Sequence, residues 1–404
     1  MYVSCDKNNV ITAISERPFS IRNQKTQWFD FIDVDCVGKS LPRTKKRIED
    51  LRVAVICNWG DECGIATYSK FLVTEIKKKV KEVHIFSENN AEPCVIPCWT
   101  RGESVQQLLR EIRSYNPDFI IIQHEFGIFP KASYFLQLIQ GLDQYPYVIT
   151  LHSVYEHLDK TVCTSAIRNI VVHTEEGKQV LRKVGNNNNI FVIPHGCIPM
   201  IEEGELWNIF QTPYAIVQFG FGFFYKGVDT VLESIAHLKS TQSKYKDIFY
   251  CYLCSENQHC ASVHNNYCNF LMDKVKELDI VDNVAIIRKF QTEKTLSNYL
   301  RTAKMALFPY RSDPNNVVYG ASGAARIAMA HHCPIIVGKN HQFDDLEGIV
   351  PRIESPLELA TEIDKVFSSD NYRNGILNRV KKYIEDNSWS VCADKYLTLY
   401  TEVI

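Results

Sequence analysis

The sequence predicts an α/β protein made of two Rossmann-like, doubly wound parallel sheets facing each other across a cleft. Three observations carry this. Short apolar runs alternate with amphipathic segments from Leu51 onward, the rhythm breaks once between Pro194 and Pro213, and it restarts with a similar number of elements. A chain of 404 residues, 45% of them hydrophobic, is long enough for two ordinary cores. Two such sheets bring the carboxyl ends of both strand sets to one cleft, where ligands bind in this architecture.

Residues 1–50 are polar and aperiodic and read as an N-terminal extension, with the basic tract from Arg43 to Arg47 as a solvated linker. Residues 51–205 read as the first domain. Apolar runs at 52–57, 83–86, 118–123, 147–151, 169–172 and 190–193 are its strands, and 65–79 and 105–115 are two of the helices between them. The linker that follows holds three prolines and two glycines. Residues 206–371 read as the second domain, with strands at 214–219, 249–253, 284–287, 306–308 and 334–337. Its helices fall at 227–239, 269–278, 294–302, 322–331 and 357–367. From 372 to 404 a helical pattern without strands predicts terminal helices that strap the two halves.

Composition excludes several classes. With 45 basic and 47 acidic residues the formal net charge is −2, which gives no field for holding a polyanion, so nucleic acid is not expected as a partner. The first residues carry no basic region followed by an apolar one, and no run approaches the roughly 18 apolar residues of a membrane span. A soluble, cytoplasmic protein is expected. Lys77, Lys78, Lys79 and Lys81 end the first helix, where they answer the negative end of its dipole; peripheral contact with an anionic membrane is the competing use. The 14 cysteines are scattered through apolar segments and read as reduced thiols. Cys251, Cys254, His259, Cys260, His264 and Cys268 lie close together, yet residues three apart on a strand point to opposite faces, so a structural role is expected and no metal.

The stretch from Phe219 to Asp229 is the sharpest functional signal. An apolar strand stops at Gly220 and Gly222, and a helical pattern begins at Lys226. A helix start with a lysine beside it suits a phosphate or diphosphate. No Walker loop, Ser-His-Asp order or paired catalytic carboxylates compete with it.

In order, the chain also carries Asp61-Glu-Cys-Gly-Ile-Ala-Thr-Tyr-Ser, Gln123-His-Glu-Phe-Gly-Ile-Phe, Thr150-Leu-His-Ser, Ile193-Pro-His-Gly, the lysine loop, and Phe308-Pro-Tyr followed by Gly320-Ala-Ser-Gly-Ala and Pro334-Ile-Ile-Val. This succession resembles the retaining GT-B glycosyltransferases of family 4, the glycosyl transferases group 1, over roughly residues 51 to 400. The resemblance implies transfer of a sugar from a nucleoside-diphosphate sugar to a hydroxyl of a glycan or glycolipid, with no metal or other cofactor. It implies that Gly64 and Gly222 let backbone approach the donor, that Lys226 binds its diphosphate, that His152 lies near the transferred sugar, and that His124 and Glu125 shape the acceptor side. His195 stands where the family has asparagine and is expected to shape the linker turn.

Two departures stand out. The family's arginine shortly before the lysine is replaced by Gly220, Phe221, Gly222 and Phe223, so Arg288 or Arg311 is expected to supply that charge. The family's two glutamates fall at Tyr319 and Ile327. What remains is a glycine-rich turn whose Gly320, Ser322 and Gly323 amides, with the Tyr319 hydroxyl, are expected to orient the donor. The expected catalytic set is His152, Lys226 and Tyr319. A non-catalytic sugar-nucleotide or glycan-binding protein of the same fold is the alternative, and glucosylation of nucleic-acid bases is argued against by the charge balance.

Overall fold

The computed structural model describes residues 45–61, 63–88, 95–157, 167–185, 189–201, 207–255, 261–314 and 317–404, and the backbone of three short strands before them. Those strands, β1 (Tyr2–Cys5), β2 (Ile11–Ser15) and β3 (Lys25–Trp28), form an antiparallel sheet in the order β2-β1-β3. Their sequences, YVSC, ITAIS and KTQW, mix polar and apolar residues without an unbroken apolar run, which is why the sequence read as aperiodic there.

The next elements are β4 (Arg52–Ile56), α1 (Gly64–Lys77), β5 (Glu82–Glu88), β6 (Ile96–Trp99), α2 (Gln106–Tyr115), β7 (Phe119–His124), α3 (Ala132–Gly141), β8 (Tyr147–Leu151), β9 (Ser153–Val154), β10 (Asn169–Val172), α4 (Glu175–Lys183) and β11 (Asn189–Val192). All but β9 of these strands form one parallel sheet, ordered β11-β10-β8-β7-β4-β5-β6. Every residue of the central β7 is buried, as a parallel strand covered on both faces requires. The sequence reading missed β6, whose Pro97 is tolerated because the strand lies at the sheet edge.

The second sheet takes β12 (Ala215–Phe221), β13 (Phe249–Ser255), β14 (Val284–Arg288), β15 (Met305–Phe308), β17 (Ile335–Gly338) and β18 (Arg352–Ile353), all parallel, in the order β14-β13-β12-β15-β17-β18. Its helices are α5 (Val228–Thr241), α6 (Ala261–Glu277), α7 (Glu293–Thr302), α8 (Gly323–Ala330) and α9 (Pro356–Ser368). Side-chain oxygens of Thr174, Thr292, Ser322 and Ser355 each accept a first-turn amide of the helix that follows, which fixes where α4, α7, α8 and α9 start.

Three connections set how the sheets face each other. The chain passes once from β11 to β12. α10 (Asp370–Asp386) packs on the second core, while α11 (Trp389–Val403) returns to the first, with the Tyr396 hydroxyl 3.0 Å from that of Tyr68 and 2.7 Å from Thr150 Oγ1. The third is a two-residue antiparallel ladder: β16 (Tyr319–Gly320), which precedes α8, pairs with β9, Tyr319 opposite Val154 and Gly320 opposite Ser153. Among the described residues no helix is long and apolar enough to cross a membrane.

Candidate active site

Two adjoining cavities open between the carboxyl ends of the sheets, of about 300 and about 570 Å³. Both are bounded by Gly64 at the start of α1 and by His195, Phe221 and Gly323. An added Cβ at Gly64 would meet nothing within 4 Å, so the first turn of α1 faces open space.

Lys226 lines the smaller cavity. It ends a helical turn, Phe224–Lys226, that stops at Gly227 with φ +66°. A Cβ at Gly227 would sit 2.0 Å from the Pro309 carbonyl oxygen, so only glycine lets the turn lie this close to the loop after β15. The lysine is 8% exposed, and its ammonium lies 3.9 Å from the Tyr310 ring centroid and 4.8 Å from that of Tyr225. Among the described residues no carboxylate forms a salt bridge with it. A nearly buried cation held by ring faces alone leaves an unfilled electrostatic demand for an anion.

The α5 N-terminus contributes less than the sequence suggested. The Val228 amide donates to the Tyr267 hydroxyl at 3.0 Å, and Asp229 takes a bidentate pair from Arg311, both contacts at 2.9 Å. Gly222 is also turned away from the cavities. Its carbonyl accepts from His264 Nδ1 at 2.9 Å, and a Cβ there would sit 2.8 Å from Cys254 Sγ, so Gly220 and Phe221 line the wall instead. Arg288 donates to Asn265 and lines neither cavity, so it does not supply the second charge. Arg311 lines the larger cavity, but with Asp229 as its partner.

A cation the sequence reading missed is Arg326, fully buried and part of the smaller cavity's wall. It donates to the Ser322 carbonyl at 3.1 Å and pairs with Asp345. Burial opposes its charge, and Asp345 more than restores it. A lone arginine in the otherwise small and apolar α8 was the available signal, since such a residue requires a buried partner. Next to it, Ile327 puts an apolar side chain in the wall.

The turn before α8 departs from its expected role. The Tyr319 ring lies against that of His341, tilted by 30° with centroids 4.4 Å apart, and packs on the first core, and the residue lines neither cavity. Gly320 is required by the other domain: a Cβ there would lie 2.6 Å from the His152 carbonyl oxygen. The Ser322 amide donates to the Gln342 carbonyl at 3.2 Å, and its hydroxyl caps α8 and donates to Tyr310, so it is not free for a donor. Gly323 alone of the three opens a helix start onto both cavities.

On the first-domain side, His152 follows β8 and lines the larger cavity. His173 Nδ1 donates to the Ile193 carbonyl at 3.0 Å, which leaves His173 Nε2 as the acceptor facing His152 Nδ1 at 3.4 Å. His152 Nε2 then accepts. The atom 2.8 Å from it is Gln123 Oε1, and turning that side-chain amide over puts its otherwise unpartnered nitrogen there as the donor. Both His152 nitrogens are thereby engaged, and no ring nitrogen is left for the leaving oxygens in this arrangement. Burial, then His173 and His195, pushes its protonation well below the usual histidine range. His124 is a core residue: it stacks on Phe129, lies 4.5 Å from the Phe135 ring, lines neither cavity, and burial lowers its pKa to about 3. Glu125, the next residue, does line the larger cavity; burial raises its carboxyl, opposed by a bond from Ser153. His195 donates through Nδ1 to the Gly196 carbonyl at 2.8 Å, and Gly196 is glycine because a Cβ there would strike the Trp389 ring at 2.4 Å.

Among the described residues no group of three or more histidine, cysteine, aspartate or glutamate side chains could hold a metal ion. Cys251, Cys254, His264 and Cys268 are buried in the second core, and His259 and Cys260 lie outside the described residues.

No protein-family model and no curated protein matches the sequence. Among solved structures, the chain is similar to a glycosyltransferase from Rickettsia africae, at 13% identity and TM-score 0.66 over 88% of this chain and 98% of that one. It is similar to sucrose-phosphate synthase from Thermosynechococcus elongatus, at 14% identity and TM-score 0.63 over 87% and 98%. It is also similar to HepE of Anabaena, solved with UDP and glucose, at 10% identity and TM-score 0.63 over 87% and 100%. Likeness at such identities shows the fold, and the fold is GT-B.

Proposed function

We propose that the protein is a retaining glycosyltransferase of the family 4 type, moving a sugar from a nucleoside-diphosphate sugar to a hydroxyl of a glycan or glycolipid without a metal. The observation that carries this reading is Lys226, a nearly buried ammonium without a carboxylate partner in a cavity between two Rossmann-like sheets. Its charge suits the diphosphate as it leaves, when negative charge accumulates on the bridging oxygen. HepE, one of the proteins with this fold, was solved with UDP and glucose. With the acceptor hydroxyl on the same face as the leaving group, a phosphate oxygen takes the proton, so the protein's share is positioning and charge.

A second reading, a binding protein without turnover, is favoured by Ile327, which meets the donor cavity with an apolar side chain where the resembled family has a carboxylate. A cytoplasmic setting accords with the free, buried thiols of Cys57, Cys98, Cys197, Cys333 and Cys392. Membrane contact through the end of α1 is weakened by Lys78 and Lys79, which pair with Glu75 and Asp394.

A thermal-shift screen against nucleoside diphosphates and their sugars, with Lys226→Ala alongside, tests the proposal. A hit lost in the variant, followed by release of free diphosphate with added acceptor and EDTA present, supports the enzyme. A stabilising ligand that is never consumed selects the binding protein, and no hit at all removes both.

A further inference from the structure

The two cavities carry opposite charge. Among its lining residues the smaller has Lys226 and no carboxylate, and its other cation, Arg326, is matched by Asp345. The larger has the carboxyl of Glu125, and its arginine, Arg311, is committed to Asp229. A diphosphate is therefore drawn to one side and kept from the other. Glu125 sits on a fixed backbone, because its carbonyl accepts the amides of Ile128 and Phe129 at 2.9 Å each. Tyr155, Phe221 and Tyr225 add ring surfaces to the same wall.

We propose that the larger cavity takes an uncharged polyhydroxyl acceptor, the end of a neutral glycan, held by hydrogen bonds from its hydroxyls to the Glu125 carboxylate, and that it rejects phosphorylated sugars. This rests on the glycosyl-transfer reading above. Sugar hydroxyls are donors that a carboxylate accepts in charge-assisted bonds, while the apolar face of a sugar ring has aromatic surfaces to lie on. A phosphate group there would meet like charge in partly desolvated space, with no lysine and no uncommitted arginine among the described lining residues to offset it.

The experiment is a glycan array probed with the full chain, with and without UDP, while UDP affinity is measured separately by calorimetry. Signal is expected on neutral glycans and not on phosphorylated or otherwise anionic ones. Glu125→Gln, which keeps shape and loses charge, should weaken that signal by about tenfold or more and leave UDP affinity unchanged. Strongest signal on anionic glycans, unchanged neutral-glycan binding by the variant, or no glycan signal from a chain that binds UDP each overturns the proposal and leaves the donor reading standing. Failure to bind UDP counts against the donor reading alone, and the array without UDP still decides the acceptor class.

Discussion

The turn after β12 and the turn before α8 both bring glycine to the start of a helix on the same sheet, and they use it for different ends. Gly227 clears the Pro309 carbonyl within its own domain and so places Lys226 in the cavity. Gly320 clears the His152 carbonyl of the opposite domain and so lets β9 and β16 pair. The first positions the cation of the proposed anion site, and the second is a clamp between domains. Glycine in a sequence announces a close approach; only the approaching atom tells which kind.

The strongest test of this contrast is Gly320→Val. The valine should force the ladder apart and abolish transfer, with circular dichroism unchanged and an enlarged radius in X-ray scattering, while UDP affinity falls less than in Lys226→Ala. Full transfer by the folded variant would show that the clamp does not matter. Lys226→Ala should cost about 1.5–3 kcal/mol of UDP binding, the range for hydrogen bonds to charged groups, without enlarging the molecule. Equal affinity in variant and parent by calorimetry would empty the anion loop of its role.

Acid probes the first-domain side of the clamp. Burial holds His124 at about 3 and His173 at about 4, below the roughly 6.5 of an unfolded histidine. Between those values the unfolded chain binds protons that the folded chain refuses, so stability is complete above about pH 6.5 and falls on acidification. Each histidine should remove about 1.4 kcal/mol per pH unit in that window, read from urea unfolding between pH 4.5 and 7. His124→Phe should flatten the slope by one proton and leave transfer intact; an unchanged slope would mean that His124 already charges in the folded state. The smallest effect is expected for Tyr319→Phe, whose ring lies on His341 outside both cavities: transfer within about twofold of the parent, against the loss of about 0.5–1.5 kcal/mol that a donor-bound hydroxyl would cause.

The fold was legible because buried parallel strands are unbroken apolar runs, and the loop that carries Lys226 because its strand, glycines and lysine lie within a dozen residues of sequence. The clamp was not. Two-residue strands leave no periodicity, and their partner lies in the other domain. His124 ends β7 and Glu125 follows it, yet one enters an aromatic core and the other a cavity, a choice made by Phe129 and Phe135 rather than by local pattern. Gly222, Ser322 and Arg288 looked available because their satisfied partners, His264, Gln342 and Asn265, are set by tertiary packing.

The return of α11 to the first domain has a consequence for biosynthesis. Trp389, Tyr396 and Tyr400 complete a core whose strands are made first, and the hydrogen bond between Tyr68 and Tyr396 spans 328 residues of sequence. During translation that half must wait, with an apolar groove along α1, until residues 389–403 have left the ribosome. Its folding is paced by synthesis of the second domain, and a chain cut short before Trp389 would fail first in the domain farthest from the cut.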